Sequence, residues 1–264
     1  MLEEQPLEHV LELAQKKLKV YRYSPMRFIT RSALASMFIG FGVIVAFKTG
    51  SFFYSSNSPL TYPMAAITFG AAIILIVYGG GDLFTGNTFY FTYAALNKRV
   101  GWKEVMRIWT NSYFGNTLGA IVFALLIAAT GLFRDNNVNG FLLHVVSYKM
   151  NAPAYELFFR AVLCNWLICL AFFIPMAQQG DGPKLFTMML FVFCFFISGY
   201  EHSIANMCTF AIALVLDHPG TISFWGVVHN LIPVTLGNLV GGGLLMGALY
   251  AYLNKKPKTD QEGG

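Results

Sequence analysis

The sequence predicts an all-α membrane protein: six transmembrane helices in two inverted three-helix repeats, with the second and fifth helices broken. Three observations carry this. Hydrophobic residues make up 56% of the chain and charged residues 12%, with a mean hydropathy of +0.55, outside the range of soluble domains. Six apolar stretches of the roughly 20 residues a helix needs to cross a bilayer fall near 28–47, 62–96, 106–131, 156–177, 185–216 and 224–253. The second and fifth are too long for simple spans, and one polar pattern interrupts both. Gly80 to Asn87 and Gly199 to Asn206 each read Gly-x-(Asp or Glu)-x4-Asn, 119 positions apart.

Residues 1–24 come first, as an amphipathic helix. Leu7, Val10, Leu11, Ala14 and Leu18 share one face, and Glu8 and Glu12 precede Lys16, Lys17 and Lys19, the order the helix dipole favours. This helix is expected to lie along the cytoplasmic membrane surface or to pack under a neighbouring subunit. Ser24-Pro25 ends it and opens a channel domain over 25–254. The first span begins with Arg31 and Leu34, and the fourth repeats this with Arg160 and Leu163. The third carries Asn111 and then Thr117-Leu118-Gly119; the sixth carries Asn230 and then Thr235-Leu236-Gly237. Landmarks in the same order mark a duplication. Three spans per repeat force the second to insert upside down.

The remaining segments read more simply. Residues 132–155 are expected to form a polar outer loop, and 255–264 a disordered cytoplasmic tail. Glycines such as Gly115, Gly119, Gly237 and Gly241 serve close helix packing. Cys164, Cys169, Cys194 and Cys208 fall inside spans without metal or CxxC spacing, so they read as free apolar thiols, and no metal is expected. Basic residues crowd one side: Lys16, Lys17, Lys19, Arg22 and Arg27, the loop Lys98 to Arg107, Lys184 and the tail. The other side has only Lys48, Arg134, Lys149 and Arg160. The positive-inside tendency places both termini in the cytoplasm of a multi-pass protein of the cell membrane. The cations are thereby topology signals in the lipid bilayer, not a nucleic-acid surface. The acidic and amide-rich start shows no pattern of a cleaved signal.

The chemistry concentrates in the two interruptions. Irregular backbone at membrane depth must be buried in protein or line a cavity, and ionisable groups there point to function. The freed backbone N–H groups at a helix break suit an anion. A carboxylate at the narrowest part of an anion path would repel the permeant. Asp82 and Glu201 therefore read as structural, with Asn87 and Asn206, accepting hydrogen bonds from N–H groups of the opposite loop. His202 is different, because an imidazole exchanges protons near neutral pH, and Thr85 of the mirrored loop is a candidate to face it.

Gly-Tyr-Glu-His-Ser-Ile-Ala-Asn-Met at 199–207 resembles the signature of the formate/nitrite transporter family. So do Asp-Leu-Phe-Thr-Gly-Asn at 82–87, Leu-Cys-Asn-Trp-Leu at 163–167 and Asn-Leu-Ile-Pro-Val-Thr-Leu-Gly-Asn at 230–238. The resemblance implies a homopentamer of aquaporin-like protomers, each with its own pore for formate, nitrite or hydrosulfide, and no cofactor. It makes His202 the central pore histidine, Thr85 the loop threonine opposite, and Asn165 and Asn238 pore-facing asparagines. Lys149, sixteen positions before Asn165, matches the lysine that draws anions into the outer vestibule. Phe69, Ile73, Leu83, Phe84 and Phe195 match the apolar constrictions.

These expectations combine into one mechanism. An apolar constriction opposes a bare anion by several kcal/mol or more, whereas a weak acid can cross uncharged. Lys149 is expected to concentrate the anion, and His202, helped by Thr85 and the asparagines, to give or relay a proton. Formate is the favoured permeant, with nitrite and hydrosulfide as alternatives. A water or glycerol channel lacks its paired Asn-Pro-Ala motifs. A membrane hydrolase built on His202 and Ser203 lacks a Gly-x-Ser-x-Gly elbow or an HExxH site, so the chain does not read as an enzyme.

Overall fold

Ser24 sets the start of the membrane domain. Its hydroxyl accepts the Arg27 N–H at 3.3 Å and Pro25 occupies the first helical turn, the usual chemistry of a helix N-terminus. The computed structural model describes residues 4–133 and 136–255. The first three residues, Arg134 and Asp135 of the expected outer loop, and the expected tail beyond Lys255 lie outside the described residues.

Helix α1 (Glu4–Tyr23) is followed by α2 (Pro25–Tyr54). The second span is divided into α3 (Thr61–Phe69), α4 (Ala71–Gly79) and α5 (Phe84–Leu96). Then come α6 (Trp102–Thr130), α7 (Asn136–Asn151) and α8 (Ala154–Phe173), which tightens into a 3₁₀ turn at Ile174–Ala177 beside Pro175. The fifth span is divided into α9 (Asp181–Ile197) and α10 (Ser203–Leu214). The last runs through α11 (Phe224–Leu239), wide π turns at Val240–Ala248 and α12 (Leu249–Leu253). Among the described residues, five stretches are long and apolar enough to cross a membrane. The sixth crossing is shared by α9 and α10. The chain is a multi-pass membrane protein of two inverted three-helix repeats.

The structure corrects three details. The stretch 132–155 is no simple loop, because α7 occupies most of it. Phe141, Leu142, Val145, Val146 and Met150 lie on one buried face, a helical periodicity that the neighbouring polar residues obscure. Helix α1 does not turn its apolar face to lipid or to another subunit. Leu7, Val10, Leu11, Ala14 and Leu18 are buried with Phe28, Phe89 and Phe173 of their own chain, since only Ser24 separates α1 from α2 and the helix folds back.

The third correction is the register of the repeat. Gly115 lies on the Ile29 carbonyl and Ser32, and Gly237 on the Phe158 carbonyl and Ala161. Gly119 meets the Ala33 carbonyl where Gly241 meets that of Val162. Arg31 and Arg160 are therefore equivalent, as expected, but Gly115-Asn116 corresponds to Gly237-Asn238. The Thr-Leu-Gly echo is one helical turn out of step. At all four glycines a Cβ would collide with backbone or Cβ atoms of the facing helix, so their packing role is a steric requirement.

Candidate functional site

Each broken span opens at a glycine in the left-handed region, Gly80 (φ 71°) and Gly199 (φ 69°), where a side chain would strain the backbone. The freed backbone groups are then claimed in the same way in both halves. The Asp82 N–H donates to the Arg31 carbonyl at 3.2 Å, and the Glu201 N–H to the Arg160 carbonyl at 3.5 Å. Asn116 accepts the Phe84 N–H at 3.0 Å and donates to the carbonyls of Ser32 (2.7 Å) and Asp82 (3.0 Å). Asn238 accepts the Ser203 N–H at 2.8 Å and donates to the carbonyls of Ala161 (2.9 Å) and Glu201 (3.0 Å). One amide both accepts and donates twice, and this pins an irregular loop that would otherwise hold unpaired groups.

The carboxylates are buried and each takes a lysine from the amphipathic helix that precedes its repeat. Lys17 of α1 lies 2.6 Å from Asp82 and 2.9 Å from Asn87 Oδ1, and Arg31 is 3.6 Å from Asp82. Lys149 of α7 lies 2.9 Å from Glu201 and 3.3 Å from Asn206 Oδ1. Asn206 donates to Glu201 at 2.6 Å, and Asn87 to Asp82 at 3.4 Å. The expected acceptance of N–H groups from the opposite loop is not what forms. A buried carboxylate needs charge compensation, and a lysine supplies more of it than an amide.

A polar contact between the two halves forms at their centre. His202 Nε2 and Thr85 Oγ1 are 3.1 Å apart, and His202 Nδ1 accepts the Ala205 N–H at 3.1 Å, capping α10. In the repeat the positions equivalent to His202 and Thr85 hold Leu83 and Ile204, so the pair is an asymmetric feature on a symmetric frame. Neither ring nitrogen bonds to Ser203, so the hydrolase pair is not assembled.

Three cavities share walls on the way to His202. A cavity of about 720 Å³ opens beneath α1, with Lys17, Arg31, Asp82 and Leu83 in its wall. Ile76, Leu83 and Phe172 separate it from a chamber of about 30 Å³ in which His202 is the only polar side chain. That volume holds a water or two. Phe69, Phe195, Ala205 and His202 separate this chamber from one of about 90 Å³ lined by Lys149, Glu201 and Asn206. The rings of Phe69 and Phe195 meet edge to face at 5.8 Å.

Of the expected constriction residues, Phe69, Ile73, Leu83 and Phe195 line the path. Phe84 does not, being turned edge-on to Tyr113 at 5.1 Å. Asn165 and Asn238 are also in the wall rather than on the cavities. The Asn165 amide donates to the carbonyl oxygens of Thr85 (3.3 Å) and Asn238 (2.7 Å) and to Thr88 Oγ1 (3.0 Å), which leaves it no free donor for a permeant. As residues of the site, Lys17, Arg31 and Asn116 escaped the sequence reading, which took Lys17 as a topology signal and Arg31 as a landmark of the repeat. Lys17 sits on an amphipathic face that looked complete, and Asn116 became visible only once the repeat register was corrected.

A model of the family described as "Formate/nitrite transporter" matches residues 4–252. An "Uncharacterized transporter YwcJ" of Bacillus subtilis (strain 168) is 60% identical over 96% of this chain and 99% of its own length. The "Nitrite transporter NirC" of Escherichia coli (strain K12) is 35% identical over 88% and 85%. Among solved structures, an "FNT family ion channel" superposes with a TM-score of 0.88 at 31% identity, covering 96% of this chain and 99% of that one. A "Pentameric formate channel with formate bound" gives 0.70 at 28% identity, covering 87% and 99%. The fold is the aquaporin-like protomer of such channels.

Proposed function

The chain belongs to the formate/nitrite transporter family, whose members are channels and transporters rather than enzymes, and we propose that it forms a homopentameric channel for formate in the cell membrane. Each protomer carries its own path, and both termini face the cytoplasm. The observation that carries this reading is the meeting of His202 and Thr85 between a chamber that holds charged groups and one that is otherwise apolar.

The energetics follow from the chamber walls. A bare anion in the 30 Å³ chamber exchanges its hydration shell for isoleucine, leucine and phenylalanine, at a cost of several kcal/mol or more. The conjugate acid loses far less. Formate therefore crosses that step protonated, and flux rises as pH falls. Lys149 in the outer chamber, and Lys17 with Arg31 beneath α1, stand at the mouths paired with Glu201 and Asp82, so they offer ammonium and guanidinium donors to an entering anion rather than a net positive field. His202 exchanges the proton, with Thr85 holding its Nε2.

Nitrite is the second reading, and the observation in its favour is the resemblance to NirC, 35% identical over 88% of this chain. Flux of formate, nitrite and hydrosulfide into proteoliposomes at two pH values separates them. Formate is expected to enter faster at the lower pH, and His202→Phe to remove that dependence. Unchanged flux and pH profile in the variant would discard the role of His202.

A further inference from the structure

The bonds to His202 contain more than a contact between repeats. A backbone N–H can only donate, so the atom that receives the Ala205 N–H at 3.1 Å must present a lone pair. Nδ1 is therefore unprotonated, and the neutral ring carries its hydrogen on Nε2, directed at Thr85 Oγ1, 3.1 Å away. Ala205 is the third residue of α10, and its N–H belongs to the group that a helix N-terminus leaves without intrahelical partners. Capping the helix and fixing the tautomer are one bond.

An imidazolium has a hydrogen on both nitrogens. A second proton on Nδ1 would point at the Ala205 N–H, breaking the cap and leaving two donors face to face. It would also add positive charge at the positive end of the α10 dipole. The other groups facing the ring do not relieve this. Helix α7 presents Lys149, paired with Glu201 of the ring's own loop. Helix α5 presents Thr85, α9 presents the ring of Phe195 at 6.2 Å, and the inner chamber is apolar.

We propose that the first turn of α10 governs the proton on His202, the Ala205 amide acting as a positioning group that holds the ring neutral with its hydrogen on Nε2. The ring becomes an acid only when that amide lets go. One proton then enters at Nδ1 from water in the outer chamber, and one leaves the ring for an oxygen of the anion. The cap re-forms when the departing proton is the one on Nδ1. This deepens, and rests on, the reading of His202 as the proton-exchanging residue of a weak-acid channel. It adds that proton exchange is coupled to opening of the loop that carries Glu201.

The test is 15N NMR of the full-length protein labelled at histidine and reconstituted in liposomes, with the His202 signals assigned by their loss in His202→Asn. At neutral pH the expected signature is a bare Nδ1 and a protonated Nε2. Ala205→Pro removes the N–H at a first-turn position that tolerates proline. There His202 should take its second proton about one pH unit higher, the equivalent of one hydrogen bond, and the pH profile of formate flux should move with it. A protonated Nδ1 or a doubly protonated ring in the wild-type protein at neutral pH would overturn the proposal. So would an Ala205→Pro variant with both titration and flux profile unmoved. The wild-type spectrum decides even if that variant does not fold. It also reads the tautomer whether or not formate is carried, so failure of the functional reading remains distinguishable.

Discussion

Removing the ammonium of Lys149 would strand Glu201, 1% exposed, with the Asn206 amide as its one side-chain hydrogen-bond donor among the described residues. Breaking a buried ion pair from one side costs about 3–5 kcal/mol, because the survivor keeps its desolvation penalty without its partner. Lys149→Met should therefore lower the thermal unfolding temperature sharply, and adding Glu201→Gln should recover much of the loss. An additive double variant would show that the pair is not coupled. The same logic explains which residues the sequence revealed. His202, Asp82 and Glu201 stand out because a charge or imidazole inside an apolar run demands a reason. Asn116 does not stand out, since a lone amide in a long span reads as tolerable, and its equivalence to Asn238, which the family motif did mark, was hidden by an echo one turn out of step. Asn165 was misjudged for a different reason. A motif can mark a residue near a path, but only the geometry tells whether its donors are free.

Helices in this protein approach one another at glycines, and the last span is where this matters most. A Cβ at Gly242 would fall onto Thr88 Oγ1 and the Asn165 amide, the group that braces the Thr85 carbonyl. Gly242→Val should cost about 1–3 kcal/mol or more by overpacking and loosen Thr85, read as a lower unfolding temperature together with reduced flux. Gly182→Ala, with nothing within 4 Å of the new methyl, should change neither. Retained stability and flux in Gly242→Val would mean that the π turns can shift without disturbing the brace. Most elements were legible from periodicity and interruption, as the broken second and fifth spans illustrate. The π turns at 240–248 were not, because a run of glycines permits close packing without stating the hydrogen-bond register that results. Helix α7 was missed through weighing its polar residues above the spacing of Phe141, Leu142, Val145, Val146 and Met150.

Across the whole molecule, the duplication supplies a symmetric frame of two asparagine clamps, two lysine–carboxylate pairs and two broken spans, and the function rests on where the symmetry fails. Leu83 occupies in one half the place that His202 takes in the other, so only one repeat sets a polar side chain in the wall of the inner chamber, with Thr85 of the other repeat bonded behind it. At either mouth lies a lysine paired with a buried carboxylate, and between them a chamber whose only polar side chain is an imidazole held by its own helix. The central claim is that a small weak acid crosses this chamber without charge. Formate uptake and internal pH recorded together in proteoliposomes, with and without an imposed membrane potential, test it most directly. One proton should enter with each formate, at a rate indifferent to the potential. Uptake that follows the potential and brings no proton would contradict the account.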